Sequence, residues 1–308
     1  MKKLTTIIVL LIVLTNICPA QWDPAFDHDG DGSIGLGDLA MLAEHWLETK
    51  PQDIVDPNGI VWIQIEDDGS GMIDDQGNPV NEGGFTGEMS KYEITNAVFC
   101  EYLNAAFYSG AITVEDGVVY GNTGPYNDEL LFRTSGNNNY SQITYSDGTF
   151  NVRTRPGYDP NDDPVNYDMS EHPVVMVSWY GAMAFCNYYG YDLPTQWQWQ
   201  AVADFDSTYS YGCGTTISHD IANYWNDNPL KLESHPYTTP VGYHGEFGYG
   251  MADMSGNAAE WTSSSGWGDR SVHRGRGWNS GDTYCTVFLI SESSKSTTEF
   301  SIGFRVCR

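Results

Sequence analysis

Apolar and polar positions alternate along residues 60–65, which read Ile-Val-Trp-Ile-Gln-Ile. Successive side chains of a strand point to opposite faces, so this pattern predicts a half-buried β-strand. A different period follows. A helix is predicted over residues 95–104, where apolar side chains recur every three or four positions at Val98, Phe99, Tyr102 and Leu103.

Two more helices are indicated by the residues that would begin them. Ser178 and Thr195 are of a type that caps helix N-termini, and Gln198 follows Thr195 at capping-box spacing. Gly190 marks the end of the first of these helices. That helix carries an apolar stripe of Trp179, Met183, Cys186 and Tyr189. The stripe predicts a face turned to the core.

The segment from 108 to 170 is rich in Gly, Asn, Asp and Tyr, with short strand-like runs at 142–145 and 150–153. Such composition is typical of turns and short hairpins, and predicts a long insertion. Three helices, few long strands and 33 glycines together predict a loop-rich α+β domain over residues 61–308.

The first 50 residues have a different character. A basic start, an apolar run over 4–15 and a small residue at Ala20 predict a signal peptide cut after Ala20, and hence an exported protein that is periplasmic, extracellular or on the cell surface. No other segment has the length and apolar character of a membrane span. Residues 51–60 are polar and bracketed by prolines, which predicts a linker.

Residues 21–50 between leader and linker predict a calcium-binding unit. Gly32 stands where a calcium loop turns sharply, and oxygen-bearing side chains surround it at Asp27, Asp29, Asp31, Ser33 and Asp38. With the amphipathic helix that follows, this unit resembles a dockerin repeat. The resemblance implies a cohesin-like partner, but dockerins carry two repeats and one is found here. A purely structural calcium module is the alternative.

The charge composition of the chain limits the classes of molecule that it could bind. The chain has 14 basic and 41 acidic residues, a formal charge of −27. Such a surface repels phosphate backbones and anionic lipid, which argues against nucleic acid and membrane surfaces. Of six cysteines, five follow the predicted cleavage point, enough for two disulfides and one odd thiol.

Four motifs occur in a fixed order. They are Lys-Tyr-Glu-Ile-Thr-Asn at 91–96, His-Pro-Val-Val-Met-Val-Ser-Trp at 172–179 running into Leu-Pro-Thr at 193–195, Gly-Tyr-Gly-Met-Ala-Asp-Met-Ser-Gly-Asn-Ala-Ala-Glu-Trp at 248–261, and Gly-Phe-Arg at 303–305. In this order they resemble the formylglycine-generating-enzyme, or sulfatase-modifying-factor, family over roughly residues 61–308. The resemblance implies a C-type-lectin-like fold with long loops held by calcium.

The resemblance also implies particular contacts. One calcium site would use the side chains of Asp253 and Glu260 with the carbonyls of Gly256 and Ala258. A second would use Asn223, Tyr224 and Glu233, with His235 giving a carbonyl. A family disulfide would join Cys186 to a cysteine after the Gly-Phe-Arg strand. Val306 occupies that position, and Cys307, one residue on, would face the other way in a strand, so this pairing stays open.

The family's oxidase chemistry requires copper(I) held by two thiolates, which are soft ligands suited to that ion. Here Cys285 stands at the second cysteine position and Ser280 at the first. A hydroxyl does not replace a thiolate on copper(I), so copper is not expected. The family serine before the first cysteine is Gly277, and the family asparagine before Gly-Phe-Arg is Ser301.

These departures favour a calcium-stabilised binding or accessory protein over an enzyme. Its ligand, a peptide or a glycan, would meet the loop around Trp278, Ser280, Tyr284 and Cys285. The alternative is a divergent formylglycine-generating oxidase that acts on a sulfatase cysteine through Cys285 and a further ligand that the sequence does not identify.

Overall fold

The computed structural model of the protein describes residues 53–308, which have mixed α+β structure. Within these residues the helices are α1 (Asn96–Tyr108), α2 (Trp179–Tyr189) and α3 (Gln196–Asp204). None of them has the length and apolar character to cross a membrane.

All three helices begin where the sequence predicts. The hydroxyl of Thr95 accepts a hydrogen bond from the backbone of Val98, and Ser178 does the same for Gly181. Thr195 and Gln198 form a reciprocal capping box. These bonds satisfy backbone N–H groups that the first helical turn leaves without partners. Helix α1 runs four residues beyond its predicted end.

The chain enters the domain through a three-stranded antiparallel sheet made of β1 (Ile54–Val55), β2 (Val61–Asp67) and β3 (Phe85–Ser90). Strand β1 lies in the segment for which the sequence predicts a linker. The side chain of Asp56 accepts a hydrogen bond from the indole of Trp62 at 3.1 Å. This segment is therefore fastened to the first sheet.

The predicted insertion is a series of small antiparallel sheets. Its strands are β4 (Ile112–Glu115), β5 (Val118–Gly121), β6 (Leu130–Arg133), β7 (Ile143–Ser146), β8 (Thr149–Val152), β9 (Thr154–Tyr158) and β10 (Pro164–Asp168). They pair as β4-β5-β6, β7-β8 and β9-β10. Two strand-like runs were predicted, and they correspond to β7 and β8.

A four-stranded sheet carries the last two motifs. It consists of β11 (Ala259–Ser265), β12 (Arg270–Arg274), β13 (Ser291–Ser294) and β14 (Ile302–Phe304), in the order β13-β12-β11-β14. Strands β11 and β14 are parallel, with Glu260 opposite Gly303 and Trp261 opposite Phe304. This register places the third and fourth motifs side by side.

The residues after β14 run back beside β3. Backbone N–H groups of Glu88 and Ser90 donate to the carbonyls of Arg308 and Val306 at 2.9 and 2.8 Å. Cys307 pairs with the backbone of Asp192 on its other side. The last described residues therefore lie between the first sheet and the segment after α2.

Two apolar clusters fill the interior. The larger joins α1, α2 and β14 around Phe99, Phe185 and Phe304, whose rings lie 5.3–6.0 Å apart. The smaller joins α3 to β2 and β3 around Trp199 and Ile63. Each buried aromatic side chain of this kind stabilises a fold by about 3–5 kcal/mol relative to alanine.

The cysteines of the predicted family disulfide are divided between the two clusters. Cys186 and Val306 belong to the larger cluster, whereas Cys307 belongs to the smaller one. Neighbouring residues of extended chain point in opposite directions, so Val306 and Cys307 contribute to different clusters. Burial and the nearby Cys307 raise the pKa of the Cys186 thiol. Cys186 and Cys307 are free thiols in the structure, as are the other three described cysteines. The disulfide implied by the family resemblance is therefore not formed.

Candidate functional site

The first motif places a carboxylate in the interior. Glu93 is 2% exposed. One of its oxygens accepts a hydrogen bond from the backbone N–H of Ala258 at 2.7 Å, and the other accepts one from the side-chain amide of Asn257 at 2.7 Å. Glu93 thereby joins the first motif to the third across more than 160 residues of sequence.

The fourth motif reaches the same region through Arg305, which is fully buried. Its guanidinium donates to both carboxylate oxygens of Glu260, at 2.6 and 2.7 Å. The indole of Trp199 donates to the same carboxylate at 2.6 Å. The remaining guanidinium bonds, at 2.8–3.0 Å, go to the carbonyls of Ser90, Lys91 and Ala252. We call Glu93, Asn257, Glu260 and Arg305 the polar core.

Charge is unbalanced around the polar core. Glu93, Asp253 and Glu260 bring three carboxyl groups near the single guanidinium of Arg305. Burial, followed by the charges of Asp253 and Glu260, raises the pKa of Glu93 well above its usual range. Burial also raises the pKa of Asp253 to about 6. Low-dielectric surroundings disfavour the ionised forms, so this region favours an added cation or bound protons.

The four residues predicted for the first calcium site lie in this region. Asp253 and Glu260 are both buried, and a carboxylate oxygen of Asp253 accepts a hydrogen bond from the backbone of Gly242 at 2.6 Å. Gly256 adopts a positive φ of 85°, which brings the turn against the backbone of Asn223. The donors are hard oxygens of the type that calcium takes. The carboxylate of Glu260 is already bound by Arg305 and Trp199.

The residues predicted for the second calcium site are not all brought together. Asn223 is fully buried and its amide nitrogen donates to the carbonyl of Tyr237 at 2.8 Å, while its amide oxygen has no partner. Glu233 is exposed and lies near the hydroxyl of Tyr158, at 3.4 Å. The carbonyl of His235 accepts a hydrogen bond from Arg155 at 3.0 Å.

The loop over residues 276–286, which we call the rim loop, follows β12 and contains Ser280 and Cys285, the positions at which the family resemblance implies a cysteine pair. A short helical turn, Asp282–Tyr284, leads into Cys285. The thiol of Cys285 is fully buried and points to the carbonyl of Gly281 at 3.6 Å. Burial raises the pKa of this thiol to about 12. Cys285 is therefore a protonated thiol at neutral pH.

Trp278 and Tyr284 occupy different environments in the rim loop. Trp278 is 3% exposed and packs against the rings of His235, Tyr237 and Phe300, with centroids 4.9–5.6 Å away. Tyr284 is 56% exposed. The structure thus places Trp278 in the interior, although the sequence assigns it to a ligand surface, and leaves Tyr284 at that surface.

Sequence reasoning missed a second exposed aromatic residue beside this loop. Trp225 is 56% exposed, and its backbone N–H donates to the carbonyl of Ser280 at 2.8 Å. The guanidinium of Arg276 lies 5.8 Å from the ring centre of Tyr284. Trp225 therefore lies beside Ser280, and Arg276 and Tyr284 pack together in the same loop. The adjacency arises from a contact across 55 residues, which no local pattern announces.

A second thiol is also brought toward Cys285. Tyr211 pairs with Thr286, and Ser255 joins the two segments by accepting from the backbone of Gly212 at 2.8 Å and donating to the carbonyl of Cys285 at 2.7 Å. Cys213 is buried, which raises its pKa to about 11, and its proximity contributes to the raised pKa of Cys285. The sequence treats Cys213 only as a disulfide candidate.

Within residues 53–308, no three side chains of the types His, Cys, Asp and Glu form a group that could hold a metal ion. Three predictions fall outside the described residues: the signal peptide, the dockerin-like helix, and the calcium loop with Asp27, Asp29, Asp31, Ser33 and Asp38. The structure does not test them, and they stay predictions.

Several known proteins resemble this chain in sequence. Residues 48–308 match the sulfatase-modifying factor enzyme 1-like domain. The formylglycine-generating enzyme of Bos taurus is 24% identical over 266 residues, which cover 70% of this chain and 64% of the enzyme. That of Mycobacterium tuberculosis is 34% identical over 105 residues, 31% of this chain and 34% of the enzyme.

A third relative bears a different name. The serine/threonine-protein kinase pkn1 of Chlamydia caviae is 36% identical over 93 residues, covering 30% of this chain and 14% of the kinase. The chain spans less than two thirds of the length of each of these curated relatives. The similarity thus concerns a shared domain.

Solved structures agree in fold. CarF superposes with a TM-score of 0.53 at 17% identity, covering 83% of this chain and 99% of CarF. PvdO from Pseudomonas aeruginosa gives a TM-score of 0.52 at 16% identity, with 82% and 95% coverage. The predicted α+β, C-type-lectin-like fold is confirmed. Since the family domain matches most of the chain and the family motifs build its polar core, the chain belongs to the sulfatase-modifying-factor family.

Proposed function

We propose that this chain is an exported, calcium-stabilised family member that binds a peptide or a glycan and lacks copper oxidase activity. One observation carries the proposal: a serine stands at position 280, where the family resemblance implies the first thiol of a copper pair. Copper(I) favours two soft thiolates, and a serine hydroxyl supplies neither softness nor charge at neutral pH. The partner thiol, Cys285, is buried and protonated. The family's pair of ligands therefore cannot form at residues 280 and 285.

The surface around Ser280 supports a binding role. Trp225 and Tyr284 are each 56% exposed beside this residue, and large aromatic rings give contact area to sugars and peptides alike. Arg276 and Asp282 add charged groups of both signs. Ligand contacts would therefore come from Trp225 and Tyr284 rather than from the buried Trp278.

Binding to an immobilised glycan set and to a peptide library tests this role. Replacing Trp225 or Tyr284 by alanine should weaken the binding found for the wild type by about 10-fold or more, since such contacts contribute about 1.4 kcal/mol or more. Trp267→Ala is the matched control, because Trp267 is 86% exposed and lies outside the rim loop. Binding that is equally insensitive to all three changes would contradict the proposed surface.

Calcium is proposed at Asp253, Gly256, Ala258 and Glu260 because buried carboxyl groups outnumber the guanidinium there. A single bound ion at 100 times its dissociation constant stabilises a fold by about 2.7 kcal/mol. Thermal unfolding with calcium and with a chelator measures this effect. We expect Asp253→Asn to reduce the calcium response and Asp31→Asn, in the dockerin-like loop, to leave the domain's response intact. A domain response unchanged by Asp253→Asn would contradict this site.

The dockerin-like repeat is proposed to recruit a cohesin-like partner or to serve as a structural calcium module. Pull-down with an isolated cohesin domain, with and without Asp27→Ala, separates these two roles. Calcium-dependent capture that Asp27→Ala abolishes supports recruitment. Absence of capture supports the structural role.

A second candidate function is favoured by Cys213. A divergent formylglycine-generating oxidase would need a second soft ligand for Cys285, and Cys213 is the described thiol that the fold brings toward it. Anaerobic copper(I) titration against a competing chelator distinguishes the two functions. Tight binding by the wild type that both Cys213→Ala and Cys285→Ala abolish, with oxidation of a cysteine peptide, supports the oxidase. No difference between the wild type and either variant supports the binding protein.

A further inference from the structure

Arg155, on strand β9, reaches out of the insertion into the loop over residues 233–236. It is 2% exposed. One terminal nitrogen donates to the carbonyl of Pro236 at 2.9 Å, and the other donates to the carbonyl of His235 at 3.0 Å and to the hydroxyl of Ser234 at 2.7 Å. It also contacts the carbonyl of Ser234. Oxygen dipoles of one short loop thus surround the guanidinium.

In the described part of the chain, no Asp or Glu forms an ion pair with Arg155, and the ion pairs formed by Asp and Glu involve other cations. Burial, with a smaller contribution from Arg153, lowers the pKa of Arg155 to about 10, so it stays charged at neutral pH. Burying a charge without a partner is costly, and here the loop carbonyls take the partner's place.

Carbonyl oxygens converging on a cation are also the way in which loops bind calcium. The carbonyl of His235 was assigned by family resemblance to a calcium ion, yet it accepts a hydrogen bond from Arg155. The side chain expected to complete that site, Glu233, is exposed near Tyr158. The buried amide oxygen of Asn223 has no partner, but Glu233 and the carbonyl of His235 bond other groups. The predicted ligands therefore do not come together as a complete second calcium site.

We propose that Arg155 serves as a built-in cation that replaces calcium in the 233–236 loop. The hairpin β9–β10 presents it there by pairing with residues 230–233: the backbone N–H of Tyr158 donates to the carbonyl of Leu230 at 3.3 Å, and the backbone N–H of Glu233 donates to the carbonyl of Pro156 at 3.2 Å. The guanidinium supplies the positive charge, and the backbone hydrogen bonds of the hairpin hold it against the loop. This loop consequently holds its shape at any calcium concentration. The inference is independent of the proposed ligand-binding role.

Thermal unfolding of the full chain in calcium and in chelator tests the inference. Arg155→Met should lower the melting temperature by about 5 °C or more in both conditions, as expected for a lost buried polar network in a domain of this size. Arg153→Met is the matched control, because Arg153 is less buried and bonds Asn139 and Gln142 instead. A loss that is no larger for Arg155→Met than for Arg153→Met would overturn the proposal.

Calcium binding at Asn223 supplies the second measurement, which does not require Arg155→Met to fold. Calorimetric titration with calcium should give the same number of bound ions for the wild type and for Asn223→Ala. Loss of one ion in Asn223→Ala would mean that the loop holds calcium beside Arg155, and would overturn the proposal. Loss in Asp253→Asn alone would leave it standing, because Asp253 belongs to the other predicted site.

Discussion

The polar core and the rim loop lie in one domain, and they differ in what their residues do. Glu93, Glu260 and Arg305 are buried. The carboxylate of Glu93 accepts a hydrogen bond from the backbone of Ala258 at 2.7 Å, and Arg305 donates to Glu260 at 2.6 Å. Around Ser280, by contrast, Trp225 and Tyr284 face solvent. The family motifs that can be read from the sequence build the polar core. They therefore report the fold, whereas the proposed function rests on the rim loop, which lies outside those motifs.

Breaking the polar core should give the largest effect. Arg305→Met leaves the carboxylate of Glu260 buried without its cation, and removing one partner of a buried ion pair costs about 3–5 kcal/mol. We expect the variant to unfold at a much lower urea concentration than the wild type. Retention of full stability would show that the polar core does not hold the domain together.

Trp278→Ala tests whether all residues of the rim loop contribute equally to the stability of the domain. Because Trp278 is 3% exposed, its truncation should cost about 3 kcal/mol or more in the free energy of unfolding. Tyr284→Ala, six residues on at the surface, should change stability by less than about 0.5 kcal/mol. Equal costs in urea denaturation would contradict the distinction between an interior and an exposed part of this loop.

Asp204→Asn should change how stability depends on pH. Burial, reinforced by Asp67 and opposed by Arg274, raises the pKa of Asp204 from 3.8 to about 7. The folded state therefore holds this proton more tightly, which stabilises it at low pH, and the benefit is lost as pH rises from about 4 through 7.

Asp204→Asn removes this contribution to the pH dependence of stability, because asparagine does not titrate. At pH 8 the variant should be more stable than the wild type by about 2 kcal/mol after allowance for solvent screening. Denaturation midpoints between pH 4 and 8 measure the effect. Parallel pH profiles for the two proteins would rule out a raised pKa at this position.

Ser280→Cys should have the smallest effect on stability and the sharpest effect on chemistry. The side chain is only partly buried, so the exchange of oxygen for sulfur should alter the free energy of unfolding by less than about 0.5 kcal/mol. Copper(I) affinity, measured with a competing chelator, should rise strongly because two thiols then share the loop. Unchanged affinity would show that the loop has lost more than one ligand.

Local signals predicted much of the scaffold. The starts of all three helices follow from Thr95, Ser178 and Thr195, whose caps act within one helical turn. Most of the short strands of the insertion were not predicted, because strands of four or five residues give too few positions for a period. Trp278 was assigned to the surface because sequence alone does not tell an exposed tryptophan from a buried one.

Long-range contacts explain the remaining differences. Arg155 meets its partners about 80 residues away, and Trp225 meets Ser280 across 55 residues. The alternation of a strand left the pairing of Cys186 with Cys307 open. In the structure both are free thiols that belong to separate apolar clusters, although Cys307 lies close enough to add to the effect of burial on the pKa of Cys186. The sequence was sufficient to predict features that depend on local geometry, such as the helix caps. It was not sufficient to predict contacts between loops that are distant in the sequence.

The return of the last described residues to the first sheet has a consequence for the time at which this domain can fold. Arg305 bonds the carbonyl of Ser90 across 215 positions. At a synthesis rate of about 5–20 residues per second, those positions take roughly 10–40 s to emerge. During that interval β3 has no neighbour on its outer side, and Glu260 lacks its cation. A chain that is exported as proposed would therefore stay unfolded, and able to be threaded through a translocation channel, at least until Arg305 has been synthesised.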